Sequence, residues 1–143
     1  AAIFIKALRD NPATKNVKFI AGDGVLDGEY IKLAKKNAEG TYLTAPGQPM
    51  EKVAPALAAE YKKKFNRVHG LYTLEAYNAA YVLLEGIKAG KTTRDALNTW
   101  LGEAVVKVNG TSISFSATGD PDNIVMNQYT IKNGQMVWVK RLS

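Results

Sequence analysis

Lys18-Phe-Ile-Ala-Gly-Asp-Gly-Val25 is the stretch that decides the fold. Its apolar residues 19–21 predict a short strand buried on both faces. Gly22 and Gly24 end the strand and flank Asp23 with residues that lack side chains, so another molecule can approach the main chain closely. Because open α/β sheets bind ligands at the carboxyl ends of their strands, Asp23 and Gly24 are candidate ligand-binding residues. Alternatively, Asp23 is an acid in a polar turn, with or without a role as the cap of the helix after it.

The composition is that of one globular domain. The 143 residues are 46% apolar and 22% charged, and no window approaches the ~20 apolar residues of a membrane span. Because the chain has no cysteine and one histidine, His69, we expect neither a disulfide nor a metal site, and no cofactor is indicated. The net charge of +6 is compatible with nucleic acid, but the basic clusters 35–36 and 62–64 lie on polar helix faces without interleaved aromatic residues. We therefore predict solvated helix faces and no nucleic-acid partner.

The N-terminal residues 1–6 are apolar from the start and lack an initiating Met. They also lack the charged segment, the long apolar run and the cleavage site of a signal peptide. We therefore expect the chain to be a fragment of a longer protein.

The first third of the chain alternates between helical and extended patterns. Apolar residues at helical spacing predict a helix that ends at Asn11-Pro12. The strand at 18–22 is followed by a predicted helix over 30–36 and a strand over 41–44, which 45–47 closes as a turn. This order predicts a parallel α/β arrangement.

Three helices are predicted in the middle of the chain. The first carries an apolar residue every four positions from Val53 to Phe65, with Pro55 in its first turn. The second ends at Ala89-Gly90 and is apolar over much of its surface, so we expect it to be deeply packed. Its main apolar stripe consists of Leu74, Tyr77, Tyr81 and Leu84. A capping box over 92–95 opens the third helix.

From Val105 onward the apolar pattern has a period of two, which predicts strands. The last two strands, 125–131 and 136–139, are separated by Lys132-Asn-Gly-Gln135. Asn-Gly between alternating apolar runs indicates a tight turn, so we predict a C-terminal β-hairpin.

The residues give little support for catalysis. The sequence has no G-x-S-x-G, P-loop or H-E-x-x-H motif, and no pair of acids stands out at a spacing for acid/base chemistry. His69 lies in a basic loop beside Arg67 and is interpreted as an ordinary surface residue. We predict no catalytic residue and no enzymatic activity.

Binding has better support, at the start of the second long helix. Tyr72 and Glu75 follow Gly70, where a helix presents free N–H groups and a partial positive charge. Tyr72 offers a flat apolar wall with a hydroxyl group, and the helix dipole favours an acid at Glu75. The alternative is that Tyr72 lies at the edge of the core and Glu75 only compensates the dipole.

Four stretches together resemble the type I periplasmic binding proteins of ABC transporters, of the branched-chain amino-acid (Leu/Ile/Val) type. They are Phe19-Ile-Ala-Gly-Asp-Gly-Val25, Ala38-Glu-Gly-Thr-Tyr-Leu-Thr44, Gly70-Leu-Tyr-Thr-Leu-Glu-Ala-Tyr-Asn-Ala-Ala80 and Ser114-Phe-Ser-Ala-Thr-Gly-Asp120. The resemblance covers nearly the whole chain in the expected order. It implies an α/β fold, namely the incomplete C-terminal portion of a three-layer lobe.

The family has two lobes that close on a small ligand, and the resemblance assigns parts of this chain to each. Residues 1–48 and 124–143 would belong to the second lobe, and 49–123 mostly to the first. The half of the first lobe that would bind the ligand's carboxylate has no counterpart here. Segments that pack on missing parts would expose apolar helix faces, so we expect the fragment to form a homodimer, exchange elements or rearrange.

The resemblance also implies roles for the candidate residues. The acid at Asp23 would bind the ammonium group of an amino-acid ligand, and the aromatic ring at Tyr72 would line the side-chain pocket. Leu/Ile/Val binders commonly have Glu where this chain has Asp23, so the identity of the amino acid stays open.

The resemblance implies a non-catalytic solute-binding component that works with a membrane permease. It would be periplasmic or extracellular and tethered to the membrane through a missing N-terminal part. The alternatives are a sensor domain of the same fold for an amide or amino acid, and a small α/β enzyme.

Overall fold

The computed structural model describes residues 1–47 and 49–142. The chain forms two compact units, unit 1 (Ala1–Gly47 with Val125–Ser143) and unit 2 (Gln48–Ile124). Gln48, which the sequence places at the boundary of the lobe-like segments, lies outside the described residues, as does Ser143. The assignment of the two units to the two lobes of a binding protein stays a prediction.

The helices and strands follow one another as α1 (Ala2–Asp10), β1 (Ile20–Ala21), α2 (Gly28–Ala34), β2 (Tyr42–Pro46), α3 (Met50–Val53), α4 (Pro55–Phe65), α5 (Thr73–Lys88), α6 (Arg94–Leu101), β3 (Val106–Val108), β4 (Thr111–Ile113), β5 (Met126–Lys132) and β6 (Gln135–Arg141). Two short 3₁₀ helices, Asp23–Val25 and Lys35–Ala38, flank α2. Most predicted elements are present, with boundaries that differ by a few residues.

Unit 1 contains a four-stranded sheet in the order β1-β2-β5-β6. β1 is parallel to β2, as the alternation of helices and strands predicts, and Ile20 lies opposite Tyr42. The other pairs are antiparallel. β5 and β6 form the predicted C-terminal hairpin, and Asn133 and Gly134 at its turn have φ values of 54° and 69°. Asn and Gly tolerate this left-handed conformation, which explains the Asn-Gly signal.

The core of unit 1 lies along one face of the sheet. In β2 and β5 buried and half-buried residues alternate, as expected for antiparallel strands when one face of the sheet is more deeply buried than the other. The helices α1 and α2 each contribute buried side chains from one of their faces. The largest buried apolar residues are Ile5, Leu26, Tyr30, Leu43, Tyr129 and Ile131.

Two polar contacts fix the C-terminal hairpin within unit 1. The carboxylate of Glu39 accepts hydrogen bonds from the backbone N–H groups of Asn133 (3.0 Å) and Gly134 (2.6 Å). Asn127 is 2% exposed, and its side chain accepts a hydrogen bond from Trp138 Nε1 (2.8 Å) and donates one to the carbonyl oxygen of Gly47. Glu39 and Gly47 are therefore joined to the C-terminal hairpin by side-chain hydrogen bonds as well as by the sheet.

In unit 2, Ala54 interrupts the long helix predicted from the four-residue stripe. It has φ −140° and ψ 57°, between α3 and α4. Pro55 is in the first turn of α4, as predicted, where its missing N–H costs no helical hydrogen bond. Met50, Ala54 and Leu74 form a buried apolar cluster against which the stripe of α4 packs.

The expectation that α5 is deeply packed is wrong. Its buried residues are Leu74, Asn78, Val82 and Gly86, which lie four positions apart on one face. Of the predicted stripe, Leu74 is buried and Tyr81 is half-buried, but Tyr77 (44%) and Leu84 (56%) are exposed. The neighbouring Leu83 (43%) and Ile87 (48%) are exposed as well. The polar Asn78 is buried because its side chain accepts a hydrogen bond from Asn109 (2.9 Å).

One local prediction near α6 also needs correction. Thr93, and not Thr92, caps α6, since its side chain accepts a hydrogen bond from Ala96 N (3.3 Å). The period of two after Val105 predicts strands there, and β3 and β4 are these strands, of three residues each, paired as a second hairpin. Its turn is Asn109-Gly110, with φ values of 50° and 73°.

Candidate ligand-binding site

Asp23 and Gly24 begin a 3₁₀ helix directly after β1. The backbone N–H of Leu26 donates to the carbonyl oxygen of Asp23 (2.8 Å) and closes this turn. Both candidate residues are exposed. The predicted burial of the strand on both faces is wrong, because Ile20 is 67% exposed. β1 has one neighbouring strand in the described part of the chain, so it forms an edge of the sheet.

Asp27, and not Asp23, caps the helix that follows. The side chain of Asp27 accepts a hydrogen bond from the backbone N–H of Tyr30 (2.8 Å) at the start of α2. Asp23 is therefore not the cap of α2, whereas its interpretation as an acid in a polar turn is compatible with its exposed 3₁₀ turn. Its carboxylate lies at the carboxyl end of β1, where the sequence places it.

The glycines around Asp23 are not required by the backbone. Gly22 has a φ of −83°, and neither Gly22 nor Gly24 has a positive φ. A Cβ atom added at either position meets nothing within 4 Å. The close approach of another molecule remains as the predicted reason for glycine.

Gly24→Ala is expected to leave stability nearly unchanged, within about 0.5 kcal/mol, because the added methyl group enters open space. If an amino acid binds against this turn, the same methyl group lowers its affinity. Thermal unfolding and titration calorimetry on the full-length gene product measure the two effects. Gly28→Ala, also in open space, is the control for affinity. An unchanged affinity in Gly24→Ala would remove Gly24 from the site.

Tyr72 and Glu75 lie at the start of α5, as predicted. Tyr72 is the residue before the first helical turn and is 39% exposed. Glu75 lies in the first turn and is half-buried, with its Oε2 atom buried. Thr73 Oγ1 accepts a hydrogen bond from Gly70 N (2.9 Å) and holds the chain in its entry to the helix.

His69 makes a contact that the sequence did not predict. Its Nε2 lies 2.6 Å from Glu51 Oε1, and its Nδ1 lies 3.0 Å from the carbonyl oxygen of Gly70. When Glu51 is ionised both partners are acceptors, so both contacts are hydrogen bonds only if the imidazole carries two N–H groups. The side chain of His69 is 14% exposed, so its interpretation as an ordinary surface residue is wrong. The contact connects α3 to the loop that leads into Tyr72.

This contact shifts the titration of Glu51. Partial burial raises the pKa of Glu51, but hydrogen bonds from its own backbone N–H and from His69 outweigh burial, so the pKa lies below its ordinary value of 4.5. A carboxyl group with a lowered pKa stabilises the folded state above its ordinary pKa. That contribution is lost as the pH falls through the lowered value.

The melting temperature of the wild type is therefore expected to exceed that of Glu51→Gln at about pH 6, and the difference should be smaller at about pH 3, below the ordinary pKa of the carboxyl group. Circular dichroism at both pH values measures it. In a His69→Asn background the difference should depend less on pH, because one hydrogen bond and one charge are gone. The same difference at both pH values would show that the pair does not lower the pKa.

The four predicted site residues fall into two pairs. Asp23 and Gly24 are neighbours in unit 1, and Tyr72 and Glu75 are one turn apart in unit 2. One site built from all four stays a prediction. Within residues 1–47 and 49–142, no group of three or more His, Cys, Asp or Glu side chains is placed to hold a metal ion. In the same residues, no helix has both the length and the apolar character needed to cross a membrane.

No protein-family model and no curated protein matches the chain. Solved structures do match. The leucine-binding protein LivK from Thermotoga maritima MSB8 is 22% identical, with a TM-score of 0.81 over 98% of this chain and 41% of its own. LivJ from Streptococcus pneumoniae, a branched-chain amino-acid transporter substrate-binding protein in complex with isoleucine, is 18% identical, with a TM-score of 0.76 over 98% and 41%. An extracellular ligand-binding receptor from Rhodopseudomonas palustris HaA2 is 24% identical, with a TM-score of 0.70 over 97% and 44%.

These matches confirm the predicted fold class. The chain has the mixed α/β fold of the type I periplasmic binding proteins, and the similarity extends over nearly all of its residues. It spans about two fifths of the length of LivK and LivJ, 41% in each case, so it corresponds to part of that fold.

Proposed function

We propose that the chain is part of the extracytoplasmic solute-binding component of an ABC transporter and that it binds a small amino acid, branched-chain or similar, without catalysis. The observation that carries this proposal is the match of nearly the whole chain to LivK, a leucine-binding protein. The match to LivJ in complex with isoleucine supports the same class of ligand.

The four candidate residues have chemistry that suits an amino acid. Asp23 would accept hydrogen bonds from the ammonium group, and Gly24 would let the ligand approach the turn. Tyr72 is 39% exposed and offers a ring face to an apolar ligand side chain. Glu75, one turn further along α5, supplies a second carboxylate for a cationic group.

Titration calorimetry of the full-length gene product with single amino acids tests the proposal. We expect L-leucine, L-isoleucine or L-valine to bind with a Kd of about 1 μM or below, a free energy of roughly −8 kcal/mol. The matching carboxylic acid without the amino group should bind much more weakly, because Asp23 then faces no ammonium. The absence of binding by every amino acid would contradict the proposal. Recovery of a chemically altered ligand would favour the α/β enzyme instead.

A sensor domain is the second candidate, since the matched protein from Rhodopseudomonas palustris HaA2 is described as an extracellular ligand-binding receptor. The same ligand chemistry serves either role. Genes for a permease and an ATPase beside this gene would favour transport, and genes for regulatory proteins would favour sensing.

The partners follow from the proposed role. A transport component outside the cytoplasmic membrane would meet a membrane permease, in the periplasm or at the cell exterior. The membrane tether and the homodimer or exchange of elements stay predictions. Light scattering of the 143-residue chain measures its association state.

A further inference from the structure

Unit 2 contains an open cavity of about 370 Å³. Its walls come from α5, from Leu101 at the end of α6, and from the segment between β4 and Pro121. Phe115 and Pro121 pair as an antiparallel bridge, and the backbone N–H of Ser116 donates to the carbonyl oxygen of Asp120 (2.8 Å). This wall is therefore a closed, hydrogen-bonded loop, and the cavity exists before any ligand enters it.

The lining of the cavity is mainly apolar. The residues without a polar side chain are Ala79, Val82, Leu83, Leu101, Ile113 and Phe115, with Pro121. Leu83 is 43% exposed, and Ile113 and Phe115 are half-buried. Covering such surface with an apolar group is favourable in proportion to the area removed from water. The volume lies at the lower end of the range for small-molecule pockets, about 300–1,000 Å³.

Two side chains of the lining are polar, Asn78 and Glu75. The carbonyl oxygen of the Asn78 side chain already accepts a hydrogen bond from Asn109 (2.9 Å), so that atom is engaged by the turn between β3 and β4. Glu75 supplies the only charged side chain among the lining residues that the structure describes. Its carboxylate is half-buried beside an apolar surface, where attraction to a cation is stronger than in bulk water.

We propose that this cavity binds a small primary ammonium compound with an apolar body of about four to eight carbon atoms. The ammonium group would pair with the carboxylate of Glu75. The apolar body would cover Leu83, Leu101 and Phe115. The cavity lies within unit 2, so the proposal does not require Asp23. It gives Glu75 a second role, in addition to the one proposed for it in amino-acid binding.

Titration of the full-length gene product with n-hexylammonium, 1-hexanol and hexanoate, followed by amide shifts in NMR spectra, tests the proposal. We expect n-hexylammonium to shift the amides of Glu75, Ala79 and Leu101 in a saturable way. The alcohol should bind about tenfold more weakly, which is the effect of one charge-assisted hydrogen bond. The carboxylate should bind still more weakly, because it meets a like charge. Equal affinities for all three compounds, or no saturable shifts, would overturn the proposal.

Three variants locate the binding. Glu75→Gln keeps the shape of the side chain and should weaken n-hexylammonium about tenfold while leaving 1-hexanol unchanged. Ala79→Phe adds a ring at an exposed lining position and should abolish the binding of both compounds. Asp23→Ala should change neither, which separates this cavity from the amino-acid site. Undiminished binding in Ala79→Phe with a native spectrum elsewhere would place the ligand outside the cavity and overturn the proposal.

Discussion

Asp23→Ala is expected to weaken the binding of an amino acid by about tenfold or more in the full-length gene product. An ammonium group loses its water shell when it enters a closed cleft, and a carboxylate opposite it replaces part of that shell with a charge-assisted hydrogen bond. The structure puts Asp23 in an exposed turn at the carboxyl end of β1, where a ligand can reach it. Titration calorimetry measures the loss.

Two further variants show whether the loss belongs to the charge of Asp23. Asp23→Asn keeps the size of the side chain and should lose nearly as much affinity as Asp23→Ala. Asp27→Ala removes the cap of α2 and should lower stability by about 1 kcal/mol while leaving affinity unchanged. Full affinity in both Asp23 variants would exclude this residue from the site.

Gly86→Ala is expected to destabilise the protein by about 1–3 kcal/mol, although alanine usually stabilises the interior of a helix by about 1 kcal/mol over glycine. The reason is the contact between α5 and α6. A Cβ atom at position 86 would overlap Leu97 Cδ1 and would lie 2.9 Å from two ring carbons of Trp100. The helices therefore have to move apart, or the two side chains have to leave their positions. Chemical denaturation, followed by tryptophan fluorescence, measures the change.

Matched variants distinguish this overlap from a general effect of the substitution. Gly28→Ala, where a Cβ atom meets nothing within 4 Å, should leave stability unchanged or slightly higher. Leu97→Ala removes the nearest obstacle, so the double variant Gly86→Ala/Leu97→Ala should lose less stability than the sum of its parts. A Gly86→Ala protein at least as stable as the wild type would show that α5 and α6 leave room for a Cβ atom at position 86.

Local signals in the sequence predicted most of the secondary structure. Asn133-Gly134 predicts its hairpin because few other residues adopt two successive left-handed conformations, and Pro55 predicts the start of α4 because it lacks an N–H. Pro46 shows the limit of such rules. The sequence predicts a turn at Pro46, but this residue lies in β2 and pairs with Met126. β1, in contrast, pairs only with Tyr42 and Leu43.

Packing could not be predicted in the same way where apolar residues surround an element. α5 is apolar on several faces, and the sequence alone favours its bulky residues as the buried side. The buried face contains Gly86 and Asn78 beside Leu74 and Val82. Gly86 lies there because a small residue admits α6, and Asn78 because its amide pairs with Asn109. Neither effect appears in the periodicity of the helix, since both depend on residues that are distant in sequence.

The candidate site also has features that local sequence predicts and features that depend on long-range contacts. The position of Asp23 after a strand and that of Tyr72 at the start of a helix can both be predicted from the sequence, because each signal is local. The contact of His69 with Glu51 joins residues 18 positions apart and has no local signal. The cavity beside Glu75 is assembled from α5, α6 and the Phe115–Pro121 bridge, so it too requires the tertiary structure.

The division of unit 1 into two stretches of sequence has a consequence for the order of events during synthesis. Residues 1–47 leave the ribosome before unit 2, and β5 and β6 leave it after unit 2. Until then β2 has only the two-residue strand β1 beside it, and Glu39 has no turn to bind. Unit 2 is continuous, so it has all its residues available first. Residues 1–47 therefore wait for β5 and β6, and a chain truncated before residue 126 retains only β1 and β2 of the four-stranded sheet.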